Sequence, residues 1–368
     1  MQRSVHVIGV GMSPFSPAVL GPDPATLIAS TIGQALIDAG LSASAIGAVH
    51  ALSDSADGAT LRGALRRTGL GQVALAHFSV GSGEASRLFA NACQAISQGQ
   101  VQSILLLGVQ GAPAQAAAAA SVEQLGAVAR AYMARYQARR ETFAMIAVKA
   151  RQHAAHNSLA AFNQLLSLEQ VLDAGVIAAP LTRPQIALSC SGAAALLMCS
   201  SEFAQRHCAV PRIRIAAQAC VAPQQLTAAE QGMGFGCLGY DVNVAAAREL
   251  YEQAGRGPQE VTVCELHDSS SVSELLLYEA LGFCLEGSAE KMVEDGDNTY
   301  SGNLVVNPCG GLLAQGHAAA ASALAQSIEL VRHLRGSAGR RQVVDARLAL
   351  QHQAGDDGTV TATLFERD

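Results

Sequence analysis

Ala35-Leu36-Ile37-Asp38-Ala39-Gly40 leads into Val49-His50-Ala51-Leu52-Ser53-Asp54-Ser55, and far along the chain Glu249-Leu250-Tyr251-Glu252-Gln253-Ala254-Gly255 leads into Cys264-Glu265-Leu266-His267-Asp268-Ser269-Ser270. In each copy an amphipathic helix stops at a glycine and an apolar strand then opens into a polar loop. Gly40 and Gly255 lie 215 residues apart and Leu52 and Leu266 lie 214 apart, so helix, turn and strand recur with one residue of slippage. A second correspondence follows in the same order. Gly81-Ser82 opens an Ala-rich helix that ends at Gly99 before a strand to Gly108. Gly316-His317 opens an Ala-rich helix that ends at Gly336 before a strand from Ala346 to Gln351. Either match alone is within chance for short Ala-rich helices. Two in one order predict an internal duplication, with an N-terminal half over residues 1–225 and a C-terminal half over 226–368.

The neighbouring segments fit such a plan. Ser4 to Val10 reads as a buried strand, and Pro24 to Ala39 as an amphipathic helix closed by Gly40. The run Val101 to Gly108, VQSILLLG, is continuously apolar, as expected of a strand covered on both faces. Residues from about 111 to 185 read as mostly helical, a loop insertion rather than core. If the halves pack around a pseudo-twofold axis, equivalent helices bring their N-termini together, where unpaired N–H groups favour an anion, an oxyanion or a thiolate. Ser82 and His317 stand at the two equivalent helix entrances. Ser82 also suits a plain helix N-cap, so both roles stay open.

Composition narrows the function. The chain has 368 residues, 50% of them hydrophobic and 15% charged, which excludes a mainly disordered state. The formal net charge of −6 argues against nucleic-acid binding. Aromatics reach only 4% with no tryptophan, so the core is built from Ala, Val, Leu and Ile. Lys149 and Lys291 are the only lysines among 24 cationic residues. The nine cysteines include no CxxC pair, which removes the zinc and disulfide-framework readings and leaves reduced, buried thiols. The N-terminus runs directly into a strand, without the pattern of a secretory signal, and no apolar run is long enough for a bilayer span. A cytoplasmic protein without membrane or metal is the expectation.

The motifs of the second half carry a resemblance. His267-Asp268-Ser269-Ser270-Ser271 with Glu274-Leu275 and Tyr278-Glu279-Ala280-Leu281-Gly282, then Gly296-Asp297-Asn298-Thr299-Tyr300, Asn307-Pro308-Cys309-Gly310-Gly311, Gly316-His317 and Leu350-Gln351-His352, resemble the ordered motifs of sterol-carrier-protein-type thiolases. Tyr136, Glu141, Phe143-Ala144 and Asn157 fit the same pattern upstream. The resemblance implies the thiolase fold, an α/β architecture of duplicated βαβαβαββ halves in five α-β-α-β-α layers. It also implies a homodimer, coenzyme A thioesters as substrate or ligand, and lipid metabolism. His267 would then be an oxyanion-hole donor, and His317 and His352 would share the catalytic site.

The departures from the family decide the chemistry. Ser82 falls where the resemblance places the nucleophilic cysteine, and Ser269 where it places the acid/base cysteine; Ala318 replaces the proline after His317, and Asp356-Asp357 interrupt the Gly-rich terminal loop. A serine hydroxyl is almost wholly protonated at neutral pH and needs a base in contact, whereas the thiolate is the attacking species of ordinary thiolase chemistry. The sequence therefore points to an acyl-CoA-binding protein, an acetyl-CoA acyltransferase by descent with altered carbon–carbon bond chemistry. The alternatives are a retro-aldolase on a β-hydroxyacyl-CoA working with a small OB-fold partner, and a non-catalytic acyl-CoA-binding subunit. Ser82, His267, His317 and His352 are the candidate catalytic residues. Tyr300 and Cys309 read as structural, and Asp356-Asp357 as a solvated turn.

Overall fold

The computed structural model describes residues 3–17, 23–53, 58–80, 87–111, 121–207, 211–226 and 235–367. The chain runs β1 (Val5–Met12), α1 (Pro24–Ala39), β2 (Ala48–Ser53), α2 (Gly58–Arg67), β3 (Ala74–Ser79), α3 (Leu88–Ser97) and β4 (Ser103–Gln110). An excursion follows: α4 (Val122–Tyr136), α5 (Arg140–Ala154), α6 (Leu168–Leu172) and the small hairpin β5 (Val176–Ala178) and β6 (Leu181–Thr182). Then come β7 (Gly192–Ser200), α7 (Ser201–His207), β8 (Ile213–Val221), α8 (Tyr240–Ala254), β9 (Val263–Glu265), α9 (Ser271–Ala280) and α10 (Ala289–Glu294). The chain ends with β10 (Val305–Val306), α11 (Gly311–Gln315), α12 (Ser322–Arg335), β11 (Leu348–Ala354) and β12 (Val360–Arg367).

Ten strands form one mixed sheet in the order β10-β9-β11-β12-β8-β1-β7-β4-β2-β3. Read inward from each edge, the two sets of five have the same order. Three parallel strands, β3-β2-β4 or β10-β9-β11, are followed by two antiparallel ones, β7-β1 or β12-β8. The sets join only where β1 and β8 pair at His6–Arg214 and Val7–Ile213. The second set opens with β8, upstream of residue 225.

Helices cover both faces of each set. α1 packs on β1 and β7 with α2 beside it, α8 packs on β8 and β12, and α12 touches strands of both sets. β4 shows why its apolar run has no polar interruption: Leu105 and Leu107 enter the core under α1, and Ile104 and Leu106 enter the core shared with α3 and α12. β11 does the same, sending Leu348 and Leu350 outward toward α9 and Ala349 inward toward α12. Truncating a fully buried leucine such as Leu106 would cost about 2–5 kcal/mol. These are the alternating layers of an α/β thiolase fold.

Two sequence expectations are altered. The excursion at 111–185 is helical but not peripheral, because Tyr132, Phe143 and Ile146 from α4 and α5 belong to the same core as Leu275 and Leu350. The helix expected to open at Gly316-His317 begins at Ser322. Ala318–Ala321 form a tight turn instead, in which the Ala321 and Ser322 N–H groups both donate to the Ala318 carbonyl at 2.7 Å.

Candidate functional site

Two loops and one strand of the second half build the site. Leu266–Ser270 leaves the C-terminal end of the parallel strand β9, the usual position for ligand sites in α/β sheets. Gly316–Ala321 joins α11 to α12, and His352 lies on β11. The segment 186–190 ties the first two loops together. Ile186 bridges Ser270, and the Ala187 N–H donates to the Ser269 carbonyl at 3.0 Å. The His317 N–H donates to the Leu188 carbonyl at 2.9 Å, and the Cys190 N–H to the His317 carbonyl at 2.8 Å. Gly316 has φ +98°, and a Cβ there would fall 2.5 Å from the Cys190 Sγ, so only glycine lets the segment lie against this loop.

Asp268 is buried and caps α11, accepting from the Leu312 N–H at 2.7 Å and the Leu313 N–H at 3.3 Å. Burial first, and the nearby Glu274 charge second, push its carboxyl well above the usual range, while those two amides pull it back. It anchors the loop and does not face the ligand.

The histidines converge. The His267 and His317 rings meet edge to face. The His267 N–H donates to His352 Nδ1 at 3.4 Å, and His352 Nε2 donates to Asn243 Oδ1 at 2.6 Å. Asn243 Nδ2 donates to the Gly239 carbonyl at 2.9 Å, which turns its oxygen toward His352 and fixes the Nε2–H tautomer. Both His352 nitrogens are thus occupied. His317 Nδ1 lies 3.3 Å from Ser322 Oγ, which also accepts the Ala318 N–H at 3.0 Å, so among the described residues Nε2 is the nitrogen without a partner. The His267 ring has no hydrogen-bond partner among the described residues.

Burial depresses all three imidazoles, His317 to about 4 and His352 to about 3. His267 falls well below its ordinary value through burial and then through His317 and His352. Burial thus favours the neutral form of all three at pH 7, with the His352 N–H already given to Asn243.

These rings line a cavity of about 1040 Å³, at the large end for ligand pockets. Its walls are mainly apolar, from Leu125, Ile186, Leu238, Val242, Leu276 and Leu277, with Gln110 and Ser269 near the histidines. No cysteine is among the described residues that line it. Ser269 Oγ lies 3.2 Å from Ser273 Oγ. Asp356 reaches the wall, and burial followed by Asp357 raises its carboxyl. Ser82 lies outside the described residues, although Val80 just before that segment lines the cavity. Tyr300 donates to the Arg341 carbonyl at 2.7 Å and Cys309 is buried, so neither enters the site. Asn243 escaped the sequence reading. Its only signal was an amide between two valines in the first turn of α8.

Residues 238–365 match a family described as thiolase C-terminal domain-like. Sterol carrier protein 2 of Bos taurus is 33% identical over all of this chain and 73% of its own length.

The chain belongs to the thiolase superfamily, among its sterol-carrier-protein-2 type.

Two solved thiolase-fold structures support the architecture at lower identity. The Ltp2-ChsH2(DUF35) aldolase superposes with a TM-score of 0.83 at 24% identity over 99% of this chain and 98% of its own. Human mitochondrial 3-ketoacyl-CoA thiolase in complex with CoA gives 0.73 at 16% identity over 100% and 98%. Among the described residues, the mainly apolar cavity wall carries imidazoles, hydroxyls, amides and carboxylates as its polar groups. No helix among the described residues is long and apolar enough to cross a membrane.

Proposed function

We propose that this protein takes an acyl-CoA thioester into the cavity and makes or breaks a carbon–carbon bond without a covalent thioester on the enzyme. The observation that carries this reading is the convergence of three neutral imidazoles in a large apolar cavity with no thiol among its described lining residues.

The reaction that fits is retro-aldol cleavage of a β-hydroxyacyl-CoA. His317 Nε2 takes the hydroxyl proton, the O–H electron pair becomes a carbonyl, and the Cα–Cβ pair flows into the thioester as an enolate. The His267 ring N–H stabilises that oxyanion. The proton on His317 then passes to Cα, so no co-reactant is consumed. Ser322 accepts from Nδ1–H of His317 while Nε2 acts as base. The enolate's charge raises the imidazole's proton affinity at the moment of transfer. His352 holds the His267 backbone in place.

The homodimer and a small OB-fold partner belong to the same proposal. The outer edge of β3 has no strand beside it in this sheet, which leaves backbone groups for a second copy. The match to an aldolase bearing a DUF35 partner supports the OB-fold protein.

The test is incubation with a β-hydroxyacyl-CoA carrying a bulky apolar β-substituent, with and without an OB-fold partner, followed by mass spectrometry. A released carbonyl compound and a shortened acyl-CoA are expected, lost in His267→Ala and His317→Ala and retained in Ser82→Ala. Burst acylation of Ser82 by an acyl-CoA would replace this reading with acyl transfer. Tight acyl-CoA binding without either would leave a binding subunit.

A further inference from the structure

A ring without hydrogen bonds is aimed by its backbone. His267 is such a ring, and its backbone is pinned by side chains from three directions. The Leu266 N–H donates to Asn307 Oδ1 at 2.7 Å. In the peptide unit joining Leu266 to His267, the carbonyl accepts from Gln326 Nε2 at 2.6 Å and the N–H donates to His352 Nδ1 at 3.4 Å. Among the described residues no hydrogen bond holds the ring itself, so these three fix where it points.

Asn307 is the member with a further partner behind it. It is fully buried, with φ +53°. Its Nδ2 donates to Glu274 Oε2 at 2.8 Å, which obliges Oδ1 to face the Leu266 N–H. The other oxygen of Glu274 is held by Lys149 Nζ and the Tyr278 hydroxyl. Tyr278 in turn accepts from Lys149 at 3.2 Å and from Asn298 Nδ2 at 3.0 Å.

Lys149 is 5% exposed and sits on α5, in the excursion between β4 and β7. The chain spends arginine at nearly every other cationic position. Here a compact ammonium meets the carboxylate and phenol together. A buried ion pair is a poor stability device, since apolar residues of equal volume do as well or better. Its value here is directional: Lys149 and Tyr278 fix one oxygen of Glu274, and the other oxygen orients the Asn307 amide.

We infer that Lys149, Glu274 and Asn307 form a positioning relay that aims His267, so that helix α5 of the excursion sets the geometry of the oxyanion donor. The consequence for turnover rests on the proposed role of His267; the placement of its ring does not.

The test uses the full chain labelled with ¹⁵N-histidine, with the His267 ring signals assigned by their loss in His267→Gln. The double variant Lys149→Met/Glu274→Gln removes both charges together and leaves no orphan ion. Its glutamine amide can pair with Asn307 in either sense. The His267 ring signals are expected to shift or split while those of His50 on β2 stay. If the cleavage reaction is confirmed, kcat should fall about ten- to a hundredfold with KM unchanged. Tyr278→Phe removes one hydroxyl from the same carboxylate and no charge, and covers the case in which the double variant does not fold. It should move the same signals less. Unchanged His267 signals in either folded variant overturn the relay. Shifted signals in a protein that never cleaves a β-hydroxyacyl-CoA uphold the relay and remove the proposed reaction.

Discussion

The imidazoles of His267 and His317 stand edge to face, their centroids 5.3 Å apart and their planes at 81°. Burial has taken both out of their ordinary titration range, and His267 is further depressed by its neighbour. Two charged imidazoles at this separation would repel each other with no carboxylate between them. Burial therefore favours the neutral form of both rings.

Stability should fall on the acid side for this reason. A histidine depressed in the folded state binds its proton only on unfolding, so stability rises with pH through the window between the folded and unfolded values. For His317 that window runs from about 4 up to the ordinary 6.5, and for His352 from about 3 to 6.5. Urea unfolding followed by circular dichroism, which needs no tryptophan, should show this loss on acidification below 6.5. His352→Gln should reduce the slope by up to about 1.4 kcal/mol per pH unit. An unchanged slope would mean that His352 is charged in the fold.

Glu265 has the opposite sign. Its Oε1 accepts the Cys309 N–H at 3.0 Å, and Cys309 Sγ lies 2.9 Å from Oε2. Burial first, then the charge of Glu329, lifts it to about 8, against the Cys309 contacts and Arg341. A carboxyl raised in the fold stabilises below its unfolded value and loses that contribution as pH rises through the folded one. Glu265→Gln should match wild type near pH 4 and gain on it from 4.5 to 8, by up to about 1.4 kcal/mol per pH unit. A difference independent of pH would show that Glu265 is ionised throughout.

Much of this architecture was legible in the sequence, and the reasons differ by residue. The duplicated helix–turn–strand runs were readable because a buried strand has few alternatives to an apolar run. His267 and His317 were readable because their motifs are long and ordered. His352 also stood in a readable motif and lines the cavity, but its engagement on both nitrogens was not legible, because Asn243 comes from a helix more than a hundred residues away. Lys149 carried a signal that went unused, a rare lysine on an apolar helix face. The start of α12 was misplaced because glycine followed by histidine marks a helix entrance as well as a turn. Only the Ser322 hydroxyl, bonding back to Ala318, distinguishes them.

Gly311 tests the anchor of the His267 loop. It has φ +62°, and a Cβ there would fall 2.2 Å from Asp268 Oδ2 and 2.8 Å from Asn307 Nδ2. Gly336, at φ +73°, has nothing within 4 Å. Gly336→Ala should cost only the left-handed backbone penalty, about 1–2 kcal/mol. Gly311→Ala should cost about 3 kcal/mol or more, because it also displaces a buried carboxylate from two helix amides. Equal losses in urea titrations would show that the Asp268 contacts contribute nothing.

No cysteine is among the described residues that line the cavity. Wild type should show little or no thiolysis of acetoacetyl-CoA. Ser82→Cys should raise it, since a thiol at the expected helix entrance would gain thiolate character from the N-terminal amides. Recovery should stop short of an ordinary thiolase, because Ser269 cannot exchange the enolate proton as a thiol does. That proton transfer is typically worth ~10²–10⁴-fold. The position tolerates the change, because the N–H that opens α9 at Ser273 is capped by Ser270 Oγ at 3.1 Å and not by Ser269. Ser269→Cys should therefore leave folding intact and add a thiol to the cavity wall. Combined with Ser82→Cys it should recover more than the two changes separately, since both groups act on one reaction coordinate. Additive gains would place the two positions on different steps. Strong wild-type thiolysis abolished by Ser82→Ala would make the serine itself the acyl relay.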